Sequence, residues 1–487
     1  MQHFSRVVAR NSIFSMGGQL AIKLLSFGFS VLIIRNLAVD HYGQYTTVLS
    51  FGAVFVFLAD LGLSPYLVRE VARWRDEPDG MERANALFGN ILRLRMLMAL
   101  FTALLLIGSA WLIGHPPVMV IAIALGTLGL MMYSVQGASD SVLAGFERLD
   151  LSAGAKVAYQ LLFVFVGGAL LLSNFGYYGL ITANLIGIAA MTWICWRGVR
   201  RLGVRPGRST PSIWPGLLKA SIPFGAIGFA LGLSRNFDSI FLQRSYGDTI
   251  AGHYNAACML VLSLLLLSNV LNTSLYPSMT RQAAQAPHTL PTIYGRALRY
   301  LMVIALPLTV GGIVLADQIM PFLFGIKHVP AIPALQVLLL AVPLMFASEF
   351  LGYIVLITNH ERRAARAVMI SSAVNVLLNI PFIWLLGMPG AAVMAVVTEV
   401  VLVCQYLWML RDTMRLLNWK HILLRPLVAV AIMGVVVQLM RGLPLLLNIA
   451  LGGLAYAMLL VLLGIIGRDE LQFIRQLRQP AESSVSP

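Results

Sequence analysis

A handful of charged side chains sit inside long apolar stretches of this chain, where they could bind or move an ion. Lys23 shares a helical face with Ser12, Ser15, Gln19, Ser26 and Ser30, because steps of three and four residues line up on one side of a helix. A second stretch carries Ser221, Gly225, Gly228, Gly232, Arg235 and Ser239 at similar steps, and Asp238 follows Arg235 by three residues, within pairing reach. Asp60, Glu349 and Glu399 are the other embedded acids, and each is a counter-ion or a proton carrier. A lysine at mid-membrane facing lipid costs about 2.5–3.5 kcal/mol, so the Lys23 face must turn toward protein or a watery cavity. Two chemistries fit. In one, Arg235 and Asp238 neutralise each other and Lys23 pairs with an acid such as Asp60. In the other, Lys23 and Arg235, with Gln19 and Ser26 beside them, receive an anionic headgroup. Arg93 and Arg95, near the start of the third stretch, are expected to snorkel to the surface.

The elements that must position these groups are membrane helices. Hydrophobic residues make up 59% of the chain and charged residues 11%, and the mean hydropathy is +0.82. A helix needs about 20 residues to cross a bilayer, and by that rule the chain divides into about fourteen spans. They run 11–34, 43–67, 84–113, 118–145, 151–173, 178–196, 214–243, 251–276, 297–324, 331–357, 364–386, 389–411, 422–441 and 444–466. Breakers at Pro116-Pro117, between Gly387 and Gly390, and between Gly442 and Pro444 mark reversals of the chain. The fold class expected is therefore an all-α polytopic membrane protein.

The net charge of +15 is not a nucleic-acid footprint. Sorted by loop, about 27 of the 35 Lys and Arg fall on the side shared by both termini and about 4 on the other, which is the positive-inside bias. Both termini are thus expected in the cytoplasm, with no nucleic-acid partner. Cys195, Cys258 and Cys404 lie in or at the end of spans and imply neither a metal knuckle nor a disulfide framework. The first apolar stretch is long and has no small-residue cleavage pattern, so it is expected to remain as a helix. No G-x-x-x-x-G-K-[ST] loop or H-E-x-x-H pair occurs, and the outside loops are short, so an enzyme is not expected.

The first two spans recur at a constant offset of 209 residues. Ser12 matches Ser221, Ala21 Ala230, Leu24 Leu233, Ser30 Ser239, Arg35 Arg244, Gly43 Gly252 and Tyr45 Tyr254. An even number of intervening spans gives both copies the same orientation, a parallel repeat of the kind transporters use. The expected organisation is two pseudo-symmetric six-helix lobes, 1–196 and 214–411. A basic cytoplasmic linker, 197–213, joins them, and 412–487 supplies two further helices and a tail. Arg235 aligns with Ser26, about one turn from the position of Lys23, so each lobe contributes one cation to a shared cavity.

Several short motifs then occur in order: Tyr42-Gly-Gln-Tyr45, Asp60-Leu-Gly-Leu-Ser64, Leu67-Val-Arg-Glu70, Leu143-Ala-Gly-Phe-Glu-Arg148, Ser221-Ile-Pro-Phe224, Gly252-His-Tyr-Asn-Ala-Ala257, Leu275-Tyr-Pro277 and Phe322-Leu-Phe-Gly325. With them the chain resembles the polysaccharide repeat-unit flippases, the O-antigen and exopolysaccharide transporters of the multidrug/oligosaccharidyl-lipid/polysaccharide superfamily. The resemblance implies a fourteen-helix transporter of the inner cell membrane. It would flip an undecaprenyl-pyrophosphate-linked oligosaccharide from the cytoplasmic to the periplasmic leaflet by alternating access, for surface polysaccharide biosynthesis. It further implies a monomer among membrane lipids, with a repeat-unit polymerase and a chain-length regulator as partners. No cofactor is implied beyond sodium or a proton as coupling ion. By resemblance to the related lipid II flippases, Asp238, Asn375, Asn379 and Thr398 are the ion-coupling set, with Asn379 standing where an acid can occur. A lipid II flippase and an ion-coupled multidrug exporter remain the alternatives.

Overall fold

The computed structural model describes residues 21–112, 114, 116–285, 290–358 and 360–465; Ser12, Ser15 and Gln19 fall outside the described residues. Among the described residues there is no strand. Residues 21–36 form α1. Then follow α2 (Val39–Asp60), α3 (Leu63–Trp74), α4 (Gly80–Leu112), α5 (Pro117–Gly145), α6 (Leu149–Leu172), α7 (Gly176–Arg201), α8 (Trp214–Tyr246) and α9 (Asp248–Gln285). The rest are α10 (Leu290–Val314), α11 (Ala316–Phe324), α12 (Ile332–Leu339), α13 (Ala341–Ile357), α14 (Glu361–Leu386), α15 (Met388–Met409), α16 (Arg411–Met414), α17 (Arg425–Leu439) and α18 (Leu445–Leu462).

The long helices among them are apolar on most sides, because their outer faces meet lipid and their inner faces meet one another. On α4, Phe88, Ile91, Ala99 and Ala103 are buried while Phe101, Leu104 and Trp111 point outward. Among the described residues eleven helices are long and apolar enough to cross a membrane, or twelve if the bent pair Ile326–Leu339 and Ala341–Ile357 is one span. The chain is a multi-pass membrane protein. Two further expected spans correspond to α1, whose beginning lies outside the described residues, and to α8, a long helix with embedded charge. The expected reversals stand where α5, α15 and α18 begin: Pro117 opens α5, Gly387 has φ +63 before α15, and Pro444 caps α18.

Three expected spans are broken. Span 43–67 stops at Asp60 because Leu61 and Gly62 both take left-handed backbone, φ 43 and 78, and the chain restarts as α3. That kink is cheap only where a glycine can supply one of the two residues. Span 297–324 divides at Leu315 into α10 and α11. Span 331–357 bends by 42° between α12 and α13.

Contacts group the described chain into two compact units. One holds the residues up to Met259 together with Ala365–Met394; the other holds Leu260–Ala364 together with the residues from Ala395 onward. In the first unit Leu63, Leu67 and Val71 of α3 pack with Phe88 and Ile91 of α4, Val142 and Leu143 of α5, and Cys195 and Val199 of α7. The basic linker is strapped along α4. The Asn85 side chain accepts from Arg205 N–H at 2.8 Å, and its carbonyl accepts from Gly207 N–H at 2.8 Å. Asn90 Oδ1 accepts from Thr210 N–H at 2.7 Å and Trp214 Nε1 at 3.0 Å. Arg93 is exposed, and its guanidinium donates to the Gly207 carbonyl of the linker at 2.7 Å.

Candidate functional site

The two Gly-x-Tyr motifs meet. A Cβ on Gly43 would collide with the carbonyl of Asp248, and a Cβ on Gly252 with the carbonyl of Val39. Val39 and Asp248 begin α2 and α9 and are themselves 209 residues apart. Each repeat copy thus presses its motif glycine onto the first residue of the other copy's helix, the reciprocal contact that a two-fold relation produces. Only hydrogen fits at the two crossing points. Asp248 is held there by Gln44 Nε2 at 2.9 Å and Gln243 Nε2 at 2.8 Å.

The motif tyrosines differ in what they reach. Tyr254 donates its hydroxyl to Asp238 Oδ2, and Ser239 N–H donates to Asp238 Oδ1 at 2.8 Å. The neighbouring Ser239 hydroxyl accepts from Asn255 Nδ2 at 2.8 Å. In the first copy the position equivalent to Asp238 is Phe29, which stacks edge-on against Phe163 with centroids 5.2 Å apart. Acid chemistry at this position is therefore confined to the second copy.

The expected Arg235–Asp238 pair is not formed. Asp238 is half-buried on its hydroxyl and amide donors, whereas Arg235 is exposed and has no ion pair among the described residues. Lys23 is likewise exposed and without an ion pair among them. Ser26, one turn on, bonds its hydroxyl to the Ile22 carbonyl at 2.8 Å. The glycine face of α8 is no cavity lining either. Gly225 lies against the Leu61 backbone, and Gly228 and Gly232 against the Phe57 ring, so small residues let α8 close onto α2.

Asp60 pairs with Arg95, not with Lys23. Arg95 Nη1 is 2.6 Å from Asp60 Oδ1, and its side chain is 4% exposed. Ser64 completes the cluster, donating to Asp60 Oδ1 at 2.6 Å and accepting from Arg95. The kink at Leu61-Gly62 creates the site, since it turns Asp60 at the end of α2 and Ser64 at the start of α3 toward the same guanidinium. Arg95 does not snorkel, because this cluster holds its buried guanidinium inside the helix bundle.

A cavity of about 570 Å³ lies among α2, α4, α5, α6 and α7. Its polar lining includes Gln136, Asp140, Lys156, Tyr159 and Asn184. Lys156 Nζ is 3.6 Å from Asp140 Oδ2, and Tyr159 donates to Asn184 Oδ1 at 2.8 Å. Asp140 Oδ1 is buried without a hydrogen-bond partner among the described residues.

In α14 Asn379 Nδ2 donates to Asn375 Oδ1 at 3.0 Å, both side chains being buried. The second unit holds the other acids. Glu349 accepts from Ser268 Oγ at 2.5 Å and Asn269 Nδ2 at 3.1 Å, and Glu399 accepts from Ser348 Oγ at 2.7 Å. Thr398 is half-buried next to Glu399 on α15.

A family model described as polysaccharide biosynthesis protein matches residues 8–282, more than half the chain. The chain belongs to that family. No curated protein is detectably similar in sequence. The fold is shared with solved transporters. The inward closed form of the lipid II flippase MurJ superposes with TM-score 0.78 at 15% identity, covering 96% of this chain and 100% of that one. An inward-facing multidrug resistance MATE family transporter of the MOP superfamily superposes with TM-score 0.61 at 15% identity, covering 81% and 94%. Its outward-facing counterpart gives 0.55 at 15% identity, covering 84% and 96%.

In this polysaccharide biosynthesis protein, sequence reading missed Asp140, Lys156 and Gln136. A signal was present: Gln136 and Asp140 stand four residues apart inside the span 118–145, and Lys156 lies about 10 Å into α6. Spans ranked by their deepest charges hide a pair that is split between two helices. Arg95 was missed as a partner of Asp60 because only the kink after Asp60 brings the two together.

Proposed function

We propose that this protein is a flippase for an undecaprenyl-pyrophosphate-linked oligosaccharide, carrying it from the cytoplasmic to the periplasmic leaflet by alternating access. One observation carries the reading. Among the described residues, embedded Arg95 and Lys156 have acid partners, whereas Lys23 and Arg235 have none and are exposed. An embedded cation with no acid is costly unless it faces water or an anion. Two of them, at nearly equivalent register positions in the two repeat copies, suit a pyrophosphate, with Ser26 and, by helical spacing in the sequence, Gln19 beside Lys23. The family description and the shared fold support transport of a precursor for polysaccharide synthesis. The positive-inside bias supports an inner-membrane protein with both termini in the cytoplasm. A repeat-unit polymerase and a chain-length regulator are the partners such a cargo implies.

Asp238 is the coupling acid in this reading, since it alone of the two repeat copies carries a carboxylate at its position. A proton would compete with Tyr254 and Ser239 for its oxygens. A sodium ion would use the same carboxylate and the oxygens of Asn375 and Asn379; Asn379 Oδ1 is buried with no hydrogen-bond partner among the described residues. The likeness to MurJ over nearly all of both chains favours lipid II as the second cargo.

The test is complementation of a strain lacking the gene, together with uptake assays in proteoliposomes. Lys23→Gln with Arg235→Gln should abolish export of surface polysaccharide while leaving protein in the membrane. Arg235→Lys should be only partly active, because bidentate phosphate contacts are lost. Normal export by the double variant would overturn the site. Flipping of lipid II by the wild type, with no movement of a polyprenyl-linked repeat unit, would replace the cargo.

A further inference from the structure

Several arginines near helix ends in the first unit have an acid beside them. Arg75 pairs with Glu147 at 2.9 Å, Arg83 with Glu77 at 2.8 Å and Arg148 with Asp150 at 2.9 Å. The end of α7 and the linker after it break that pattern. From residue 151 to residue 237 the sequence holds no Asp or Glu, yet Arg197, Arg200, Arg201, Arg205 and Arg208 follow one another within twelve residues. All five side chains are exposed, and none has an ion pair among the described residues.

Two observations set this cluster apart from a charged loop. The linker backbone is fixed: Arg205 N–H and Gly207 N–H bond to Asn85, Thr210 N–H bonds to Asn90, and a Cβ on Gly207 would run into the Ala86 backbone. Cations projecting from a set backbone have less freedom to lose on binding. The second observation is the face that leads to them. On α7, Ile186, Trp193, Arg197 and Arg200 stand at steps of seven, four and three, so they share one side of the helix. Ile186 is 42% and Trp193 60% exposed, whereas Met191, Cys195 and Val199 on the far side are buried. That side of α7 is a lipid-facing strip that ends on two guanidinium groups. Trp193 marks the level at which it meets water, since tryptophan collects at membrane boundaries, and the Arg197 guanidinium lies 5.2 Å from the centre of its ring.

We infer that the end of α7 is a binding site for an anionic phospholipid. The headgroup phosphate is held by Arg197 and Arg200, an acyl chain runs along Trp193 and Ile186, and Arg201 and Arg205 add to the attraction. Arginine forks match phosphate oxygens two at a time, and basic clusters at the ends of membrane helices attract anionic headgroups. Lipid is favoured over an acidic protein because the arginines continue an apolar, lipid-facing strip. The site is separate from Lys23 and Arg235, so it stands or falls independently of the cargo.

The test places the full-length protein in vesicles of phosphatidylcholine with a minor share of phosphatidylglycerol, bromine being carried on the acyl chains of one lipid or the other. Brominated phosphatidylglycerol should quench tryptophan fluorescence more than brominated phosphatidylcholine at equal mole fraction, and Trp193→Phe should remove the excess. Each cation near an anionic headgroup is worth about fivefold in affinity. Arg197→Gln with Arg200→Gln should therefore lower the preference for phosphatidylglycerol about tenfold, with Arg201 and Arg205 keeping part of the attraction. Arg197→Lys with Arg200→Lys should be intermediate, and both pairs should melt as the wild type does, because the side chains are exposed. Arg148→Gln removes a cation already paired with Asp150 and should leave the preference unchanged. An undiminished preference after Arg197→Gln with Arg200→Gln, or an excess of quenching that survives Trp193→Phe, would overturn the site. So would arginine-dependent binding of inorganic pyrophosphate in vesicles of phosphatidylcholine alone, with no preference for phosphatidylglycerol in the mixed ones.

Discussion

Replacing Arg95 should expose how much of the first unit rests on the kink after α2. The guanidinium is 4% exposed and Asp60 is 24% exposed, with the two 2.6 Å apart. Removing one partner of a fully buried ion pair costs about 3–5 kcal/mol, because the other charge is left without compensation. Here Asp60 keeps its bond from Ser64 and some access to solvent, which lowers the expected cost of Arg95→Gln to about 2–3 kcal/mol. Asp60→Asn alone leaves the arginine stranded in the deeper position and should cost at least as much. The double variant leaves two neutral amides, so a coupling of about 1.5–2.5 kcal/mol should be recovered in the cycle. The assay is reversible unfolding in mixed micelles with increasing dodecyl sulfate, followed by loss of helical circular dichroism. Lys23→Gln belongs in the same series, and it should add to Asp60→Asn without coupling. A coupling between positions 60 and 95 below about 0.5 kcal/mol, or a larger one between 23 and 60, would refute this account of the pair.

Gly43→Ala and Gly252→Ala should each cost about 2 kcal/mol or more, since the new methyl meets backbone, while Gly108→Ala, with open space around it, should be neutral or slightly stabilising; fluorescence-detected thermal stability in detergent reads all three. Asp238→Asn should flatten the dependence of transport on pH or sodium in proteoliposomes, and Tyr254→Phe should shift that dependence without abolishing it. Wild-type ion dependence in Asp238→Asn would move the coupling role to Glu349, Glu399 or Asp60. Asn90→Ala removes the acceptor for Thr210 N–H and Trp214 Nε1, so trypsin should cut after Arg208 several-fold faster than in the wild type. Cleavage should occur in inside-out vesicles and not in intact cells; cutting from outside would reverse the proposed orientation.

The class of this protein and the places where its chain turns were legible in the residues. Twenty-residue apolar runs can satisfy their backbone in a membrane only as helices, and proline and glycine pairs mark the reversals whatever the tertiary context. The repeat was legible too, because a gapless offset preserves Gly43 and Gly252, the two positions where backbones cross and only hydrogen fits. Partner choice was not. Asp60 could be matched to Lys23 on paper, since both are embedded, but two left-handed residues after α2 turn it toward Arg95. Asp238 was three residues from Arg235 and within helical reach, yet Tyr254, sixteen residues away across a turn, holds the carboxylate instead. Asp140 and Lys156 drew no notice singly and became a site only when α5 and α6 enclosed a cavity. A span is a one-dimensional property of transfer free energy, which depends on each residue's own chemistry. An ion pair depends on a distance between helices, and that distance is set by kinks and small-residue contacts that no single segment contains.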